Sequence, residues 1–233
     1  MKTEYNDGIV QIQAVAEYEK AANGPLKRYP SLELVRLEKL FFSEEKSDKK
    51  GKLLEYAFGG GCNTLHLLEC GYEVCGIDVA KGALTSTNKR MSNYPELRKK
   101  LQLDLLPLNA CKIPYPDNYF TYGVAMSILS LLGTENKVRL LLSELERVLA
   151  SQGKIILDIN DHESEFSKGK KQVEKNVFLG KPVDNEIKCF CLKNEKDFED
   201  LIKNYFDIVD IGYSSHRVFG RRINEWIICA KKK

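Results

Sequence analysis

No stretch of this sequence approaches the ~20 consecutive apolar residues that cross a bilayer. Its opening, MKTEYNDGIVQIQ, is polar and acidic rather than basic and then apolar. Neither a membrane span nor a signal peptide is expected, and the reading is a cytoplasmic protein. An excess of one charge is also lacking: 36 Lys+Arg stand against 33 Asp+Glu, a net of +3, with the signs mixed along the chain. That balance neither demands nor excludes a nucleic-acid partner. There is no internal repeat and no low-complexity tract. An even cysteine framework is missing too, because the seven cysteines (Cys62, Cys70, Cys75, Cys111, Cys189, Cys191 and Cys229) sit in otherwise core-like segments. Reduced, mostly buried thiols follow. Cys189 and Cys191 form the one close pair, without histidine or further cysteine beside it, so no metal site is expected. What is present is 233 residues, 43% hydrophobic and 30% charged, enough for one domain with a substantial core.

The pattern along the chain alternates. Residues 1–50 carry Tyr5, Tyr18 and Tyr29, then a helix SLELVRLEKLFF with Ser31 as N-cap, then the charged linker SEEKSDKKGK. This segment reads as an N-terminal helical lid on a domain spanning 51–233. KLLEYAF is a strand, GGGC a glycine turn and NTLHLLEC a helix, and Glu73–Ile77 and Lys81–Met91 repeat the strand and helix. LQLDLLPL and YFTYGVAM supply two more strands. A helix from Thr134 to Ala150 is broken at Ser151-Gln152-Gly153 before the strand KIILDIN. Such βα alternation implies a parallel sheet with right-handed crossovers. The end differs: after the helix EKDFEDLIKNY come two strands, YFDIVDIGY and RRINEWIICA, whose short connection makes them antiparallel. Residues 161–194 fit no βα unit, and Lys168, Lys170, Lys171 and Lys175 mark an exposed loop, read as an insertion covering a substrate.

The most specific feature is the run LLEYAFGGGCNT followed by GYEVCGIDVA. A glycine turn between strand and helix offers backbone N–H groups and a helix N-terminus to a ligand, and Gly59, Gly60 and Gly61 let it approach. Asp78 ends the second strand roughly 20 residues beyond the turn, where a carboxylate accepts from ribose hydroxyls. The dinucleotide fingerprint fails, because Thr64 stands where its third glycine belongs, and no phosphate-loop G-x-x-x-x-G-K-[ST] occurs. A ligand with a ribose and a charged tail but no pyrophosphate fits better.

From Lys52 to the C-terminus the chain resembles the class I S-adenosylmethionine-dependent methyltransferases. Glu55-Tyr56-Ala57-Phe58-Gly59-Gly60-Gly61 stands at the family's acidic and glycine-alternating motif, and Asp78 in GIDVA at its ribose-binding acid. Asn109 and Ala110 in LPLNACKIPYPDNYF stand at the segment that holds adenine. The resemblance implies an α/β, Rossmann-like, doubly wound seven-stranded sheet with an antiparallel last strand, and S-adenosyl-L-methionine as cofactor. It implies cofactor contacts from Glu55, Ala57, Gly59, Gly61, Asp78, Val79, Asn109, Ala110 and Met126. Three departures stand out. Ala57 replaces the first glycine, Glu55 the commoner aspartate, and Thr121 the acid that usually opens the fourth strand. Because alanine disfavours φ > 0, a slightly altered turn is expected.

His162, just after the fifth strand, is the candidate general base, and His66 reads as packed inside the first helix. Tyr29 and Arg36 in the lid, and His216 and Arg217 with Arg221 and Arg222 in the last connection, are the candidate substrate contacts. The expected acceptor is a small molecule such as a sugar, a metabolite or an envelope precursor, handled by a monomer or homodimer. An RNA or protein acceptor, and a methyltransferase-like binding or regulatory protein, remain the alternatives. No N-P-P-Y-type motif is present.

Overall fold

The run Lys52–Tyr56 (β1) is buried on both faces, as a strand in the middle of a parallel sheet must be: Leu53 and Leu54 are fully buried. It pairs in parallel with β2 (Glu73–Asp78) on one side and β4 (Phe120–Ala125) on the other. Outward from these lie β3 (Leu101–Leu105) and β5 (Leu149–Asn160). Two long strands, β9 (Phe206–Val218) and β10 (Arg221–Lys232), complete the sheet in the order β3-β2-β1-β4-β5-β10-β9. β10 runs antiparallel to both neighbours. The order reverses between β1 and β4, and a crevice at the carboxyl ends of the strands opens at that switch point. The computed structural model describes residues 8–23, 29–43, 50–180, 187–218 and 221–233. Most of the linker, Tyr5, Arg28 and the side chain of Arg221 lie outside the described residues.

Helices cover both faces. On one, α3 (Cys62–Glu69) packs with α2 (Leu32–Leu37) and the π turn Glu38–Phe42 over Leu34, Phe42, Leu67 and Tyr72. On the other, α6 (Glu135–Val148) and α7 (Glu195–Ile202) bury Leu141, Leu145 and Phe198. The side chain of Thr134 caps α6 by accepting from the Lys137 N–H. α6 ends two residues before the expected Ala150, because Leu149 already pairs with Phe120 and the chain turns at Gln152, φ +61°. α4 (Lys81–Met91) follows β2, and the single turn α5 (Pro95–Arg98) leads into β3. No helix among the described residues is long and apolar enough to cross a membrane.

The segment after β5 is not the exposed loop its lysines suggested. It builds a three-stranded antiparallel sheet from β6 (Lys171–Glu174), β7 (Val177–Gly180) and β8 (Ile187–Phe190). Only β6, with the lysines around it, is exposed throughout. Cys189 and Cys191 are fully buried there, and burial pushes both thiols up to about 12.

Residues 8–23, ending in α1 (Val15–Asn23), form a strap over the carboxyl end of the sheet. Ile9 and Val10 are buried, and the Ile9 N–H donates to the Ala110 carbonyl at 2.9 Å. The Gln11 amide donates to the carbonyls of Leu131 (3.0 Å) and Lys188 (2.9 Å) and accepts from the Lys188 N–H (2.8 Å). Lys137 donates to the carbonyls of Gly8 and Val10. The Glu19 carboxylate accepts from the Lys81 and Gly82 N–H groups at 2.6 and 2.7 Å, capping α4 from outside its own helix.

Candidate cofactor and active site

β1 leaves the sheet at Tyr56 and enters α3 through Ala57-Phe58-Gly59-Gly60-Gly61. The turn keeps the glycine geometry in spite of its substitution: Ala57 has φ +65°, beside +53° at Gly59 and +72° at Gly61. The expectation of an altered turn is corrected here. The Ala57 N–H donates to the Ile77 carbonyl at 2.7 Å, which holds the alanine in a conformation costing roughly 1–2 kcal/mol. The two glycines of positive φ serve different ends. A methyl group on Gly61 would meet the Thr87 side chain at 2.7 Å, whereas one on Gly59 has nothing within 4 Å. Gly61 thus allows close packing against α4, and Gly59 faces open space.

Asp78 closes the other side of the turn. Its carboxylate accepts from the N–H groups of Val79 (2.7 Å), Ala80 (2.9 Å) and Gly59 (2.9 Å), so one side chain ties the end of β2 to the glycine turn. Burial pushes its carboxyl above the usual aspartate range, against those backbone hydrogen bonds, and nearby Glu19 adds to the rise. Glu55 is 2% exposed, and burial pushes its carboxyl up to about 8. Its carboxyl accepts from the Thr64 hydroxyl at 2.6 Å, so Glu55 fastens α3 to β1 beneath the turn and does not line the cavity.

That cavity, about 440 Å³, opens along the switch point. Ala57, Gly59, Asp78 and Val79 form one end, with Met126 and Ser127 beyond β4. Val10 and Tyr18 cover it from the strap, and Phe166 from the insertion. The far end carries Asn160, Glu165, Ile223 and Glu225. Tyr18 donates to the Leu131 carbonyl at 2.7 Å. The buried hydroxyl of Tyr56, also on the wall, has no hydrogen-bond partner among the described residues. Ser127 adopts φ +60° while its N–H donates to Asp158 at 2.6 Å, a strained residue at the edge of the site.

Of the residues singled out from sequence, Ala57, Gly59, Asp78, Val79 and Met126 come together on the cavity wall, and Gly61 supports them from behind. Asn109 is exposed, and Ala110 gives its carbonyl to the strap; neither lines the cavity. His162 is likewise not brought to it. Its Nε2 lies 3.0 Å from Asn176 Oδ1 and 3.0 Å from the Cys191 carbonyl, and its ring meets the Phe178 edge at 4.9 Å, which ties it into the small sheet. Tyr29 and Arg36 are exposed outside the cavity. His216 and Arg217 are exposed near the end of β9, and Arg217 borders a shallow surface hollow with Lys168, Lys170 and Arg222. Thr121 is exposed at the start of β4, packed against Gly51. Sequence reasoning missed Val10, Tyr18, Phe166 and Glu225, because none belongs to a local motif and only the fold brings them to one place.

A family model described as a methyltransferase domain matches residues 54–157. No curated protein sequence matches the chain. Among solved structures, a SAM-dependent methyltransferase from Methanosarcina mazei is 19% identical with a TM-score of 0.69, over 83% of this chain and 96% of that one. The N-methyltransferase NodS from Bradyrhizobium japonicum, in complex with S-adenosyl-L-homocysteine, is 12% identical with a TM-score of 0.66, over 94% and 98%. The 1,6-didemethyltoxoflavin-N1-methyltransferase of Burkholderia thailandensis is 13% identical with a TM-score of 0.63, over 94% and 79%. Residues 54–157 thus match a methyltransferase domain, and the whole chain, with its strand order, its antiparallel β10 and its glycine turn facing Asp78, shares the fold of these solved S-adenosylmethionine-dependent methyltransferases.

Proposed function

We propose that this protein transfers the methyl group of S-adenosylmethionine to a small molecule held at the far end of the cavity. The observation that carries this reading is the cover: the strap and the insertion turn an open crevice into a chamber of about 440 Å³, within the size range of small-molecule sites. The site fits the cofactor. Gly59 leaves room where any side chain would project, and the Tyr56 hydroxyl has a hydrogen bond to give.

The cofactor supplies an activated methyl group on a sulfonium. The protein's part is alignment and exclusion of water. With the cofactor bound, Asp78 would accept from the ribose hydroxyls, the turn around Gly59 would present backbone to the amino-acid tail, and Val79 would pack against the adenine. Met126 and Ser127, on the wall beyond β4, would hold the sulfonium side. Asn160 and Glu225 orient the acceptor, and Tyr18 and Phe166 keep water out. Glu165 and Glu225 are the acidic groups lining the far end, and they receive a proton when the acceptor carries one. A polymeric acceptor has less support: Glu163 is ion-paired with both Lys168 and Arg222, so the basic hollow beside the chamber is not an uninterrupted phosphate track.

Calorimetric titration with S-adenosylmethionine and S-adenosylhomocysteine, with NADH as control, tests the cofactor half. Both adenosyl ligands are expected to bind at micromolar concentration and NADH not at all. Asp78→Ala is expected to weaken binding by about 1.5–3 kcal/mol, the worth of hydrogen bonds to a charged group. S-adenosylhomocysteine release in a panel of small amines and hydroxy compounds, set against RNA and protein, tests the acceptor half. Turnover with a polymer alone would overturn it.

A further inference from the structure

We propose that Glu38, His66 and Cys70 form a binding site for a borderline-soft divalent cation of the zinc type, on the helical face behind the methyl-transfer chamber. Among the described residues this is the one group of three ligand-type side chains in reach of one another, all three ligand atoms lying within 4.8 Å. His66 and Cys70 are four residues apart at the end of α3, which sets them on one side of the helix. Glu38 reaches them from the π turn that follows α2. Folding assembles the group from distant parts of the sequence, so no local metal motif announces it.

The spacing approaches that of a tetrahedral ion, and because Sγ is nearly equidistant from the two ring nitrogens, the imidazole must turn to aim one of them at the ion. Bonds of about 2.3 Å to sulfur and about 2.0 Å to nitrogen at a tetrahedral angle put those two atoms about 3.5 Å apart. Cys70 Sγ lies 3.7 Å from His66 Nε2 and 3.9 Å from Nδ1. Imidazole, thiolate and carboxylate together select zinc or cobalt over magnesium or calcium. Three protein ligands leave a fourth position, and His66 and Cys70 are only half-buried, so water can fill it.

The carboxylate is already oriented. Lys50 (2.5 Å), the Ser43 hydroxyl (2.8 Å) and the Tyr72 hydroxyl (2.9 Å) all donate to Glu38 Oε1. They act as outer-shell groups that aim a ligand, and a carboxylate keeps further lone pairs for the cation. Cys70 gives up its proton to solvent on binding, and the cation takes the thiolate. Occupancy would clamp the π turn to α3, whose first turn carries Cys62 and Asn63 on the chamber wall.

Cobalt(II) titration of the reduced full-length protein tests the site, independently of cofactor binding or methyl transfer. One equivalent is expected to produce a thiolate-to-cobalt absorption band that zinc displaces and magnesium does not. Cys70→Ser should abolish the band and weaken binding at least about 100-fold, above the usual effect of an outer-shell partner. A band that survives in Cys70→Ser would assign the metal to another cysteine and overturn the proposal, as would no band in the wild type. If that variant fails to fold, zinc X-ray absorption on the wild type decides. One sulfur at about 2.3 Å with nitrogen and oxygen neighbours at about 2.0 Å is expected. A shell with two sulfurs or none rejects it.

Discussion

At the scale of single residues, the site holds two side chains in states their types disfavour. Ala57 sits at φ +65° where glycine would rest without strain. Ala57→Gly is therefore expected to stabilise the protein by about 0.5–1 kcal/mol, the strain relieved less the entropy glycine adds to the unfolded chain. At this chain length that is a rise in Tm of about 1–4 °C by calorimetry; a fall would mean the turn is not strained. Glu55 is the second case. Its folded-state pKa of about 8 stands above the ordinary 4.5, so between those values the unfolded chain has released a proton that the folded protein keeps. Stability from this group is full below about pH 4.5 and falls as pH rises toward about 8, with a slope approaching 1.4 kcal/mol per pH unit. Tm measured from pH 6 to pH 8 is expected to fall less steeply in Glu55→Gln, which keeps an acceptor for Thr64 without an ionisable proton. Equal slopes would remove Glu55 as the cause.

At the scale of elements, the strap is held by few but buried hydrogen bonds, and Gln11 makes three of them across two other elements. Gln11→Ala leaves the Lys188 N–H and two carbonyls without this partner, a loss of about 1–3 kcal/mol localised to the strap. Native-state hydrogen exchange is expected to show the amides of Ile9 and Ala14 exchanging faster while those of β1 are unchanged. Uniform acceleration across the sheet would show instead that the strap belongs to the global core. The strap was legible in the sequence only as a polar, tyrosine-bearing segment, because its contacts are long-range: Gln11 to Lys188, Tyr18 to Leu131. The small sheet of residues 171–190 was hidden similarly. Its surface lysines lie on and around the one exposed strand, while Val177, Cys189 and Phe190 supply the buried face.

For the whole molecule, the alternation of apolar strands and amphipathic helices made the sheet readable, since buried parallel strands carry nearly continuous apolar runs and the closing hairpin has no helix between its strands. That Ala57, Gly59, Asp78 and Val79 meet on one cavity wall was readable because they lie in one βαβ unit. Asn109 and His162 went elsewhere because position after a strand does not determine what covers that strand's end. The strap took the carbonyl beside Asn109, and the small sheet took His162. The chamber therefore has two parts of different origin. The glycine turn, Asp78, Val79, Met126 and Ser127 fall within 54–157, the stretch that matches the methyltransferase domain, whereas Val10, Tyr18, Asn160, Glu165, Phe166, Ile223 and Glu225 fall outside it, with Tyr18 packed against Phe58, Ala80 and Ala83 beside the turn. The strap, the insertion and the last hairpin reach the chamber from separate stretches of sequence, so its far wall can be redrawn without altering the strand-turn-helix unit that carries Gly59 and Asp78.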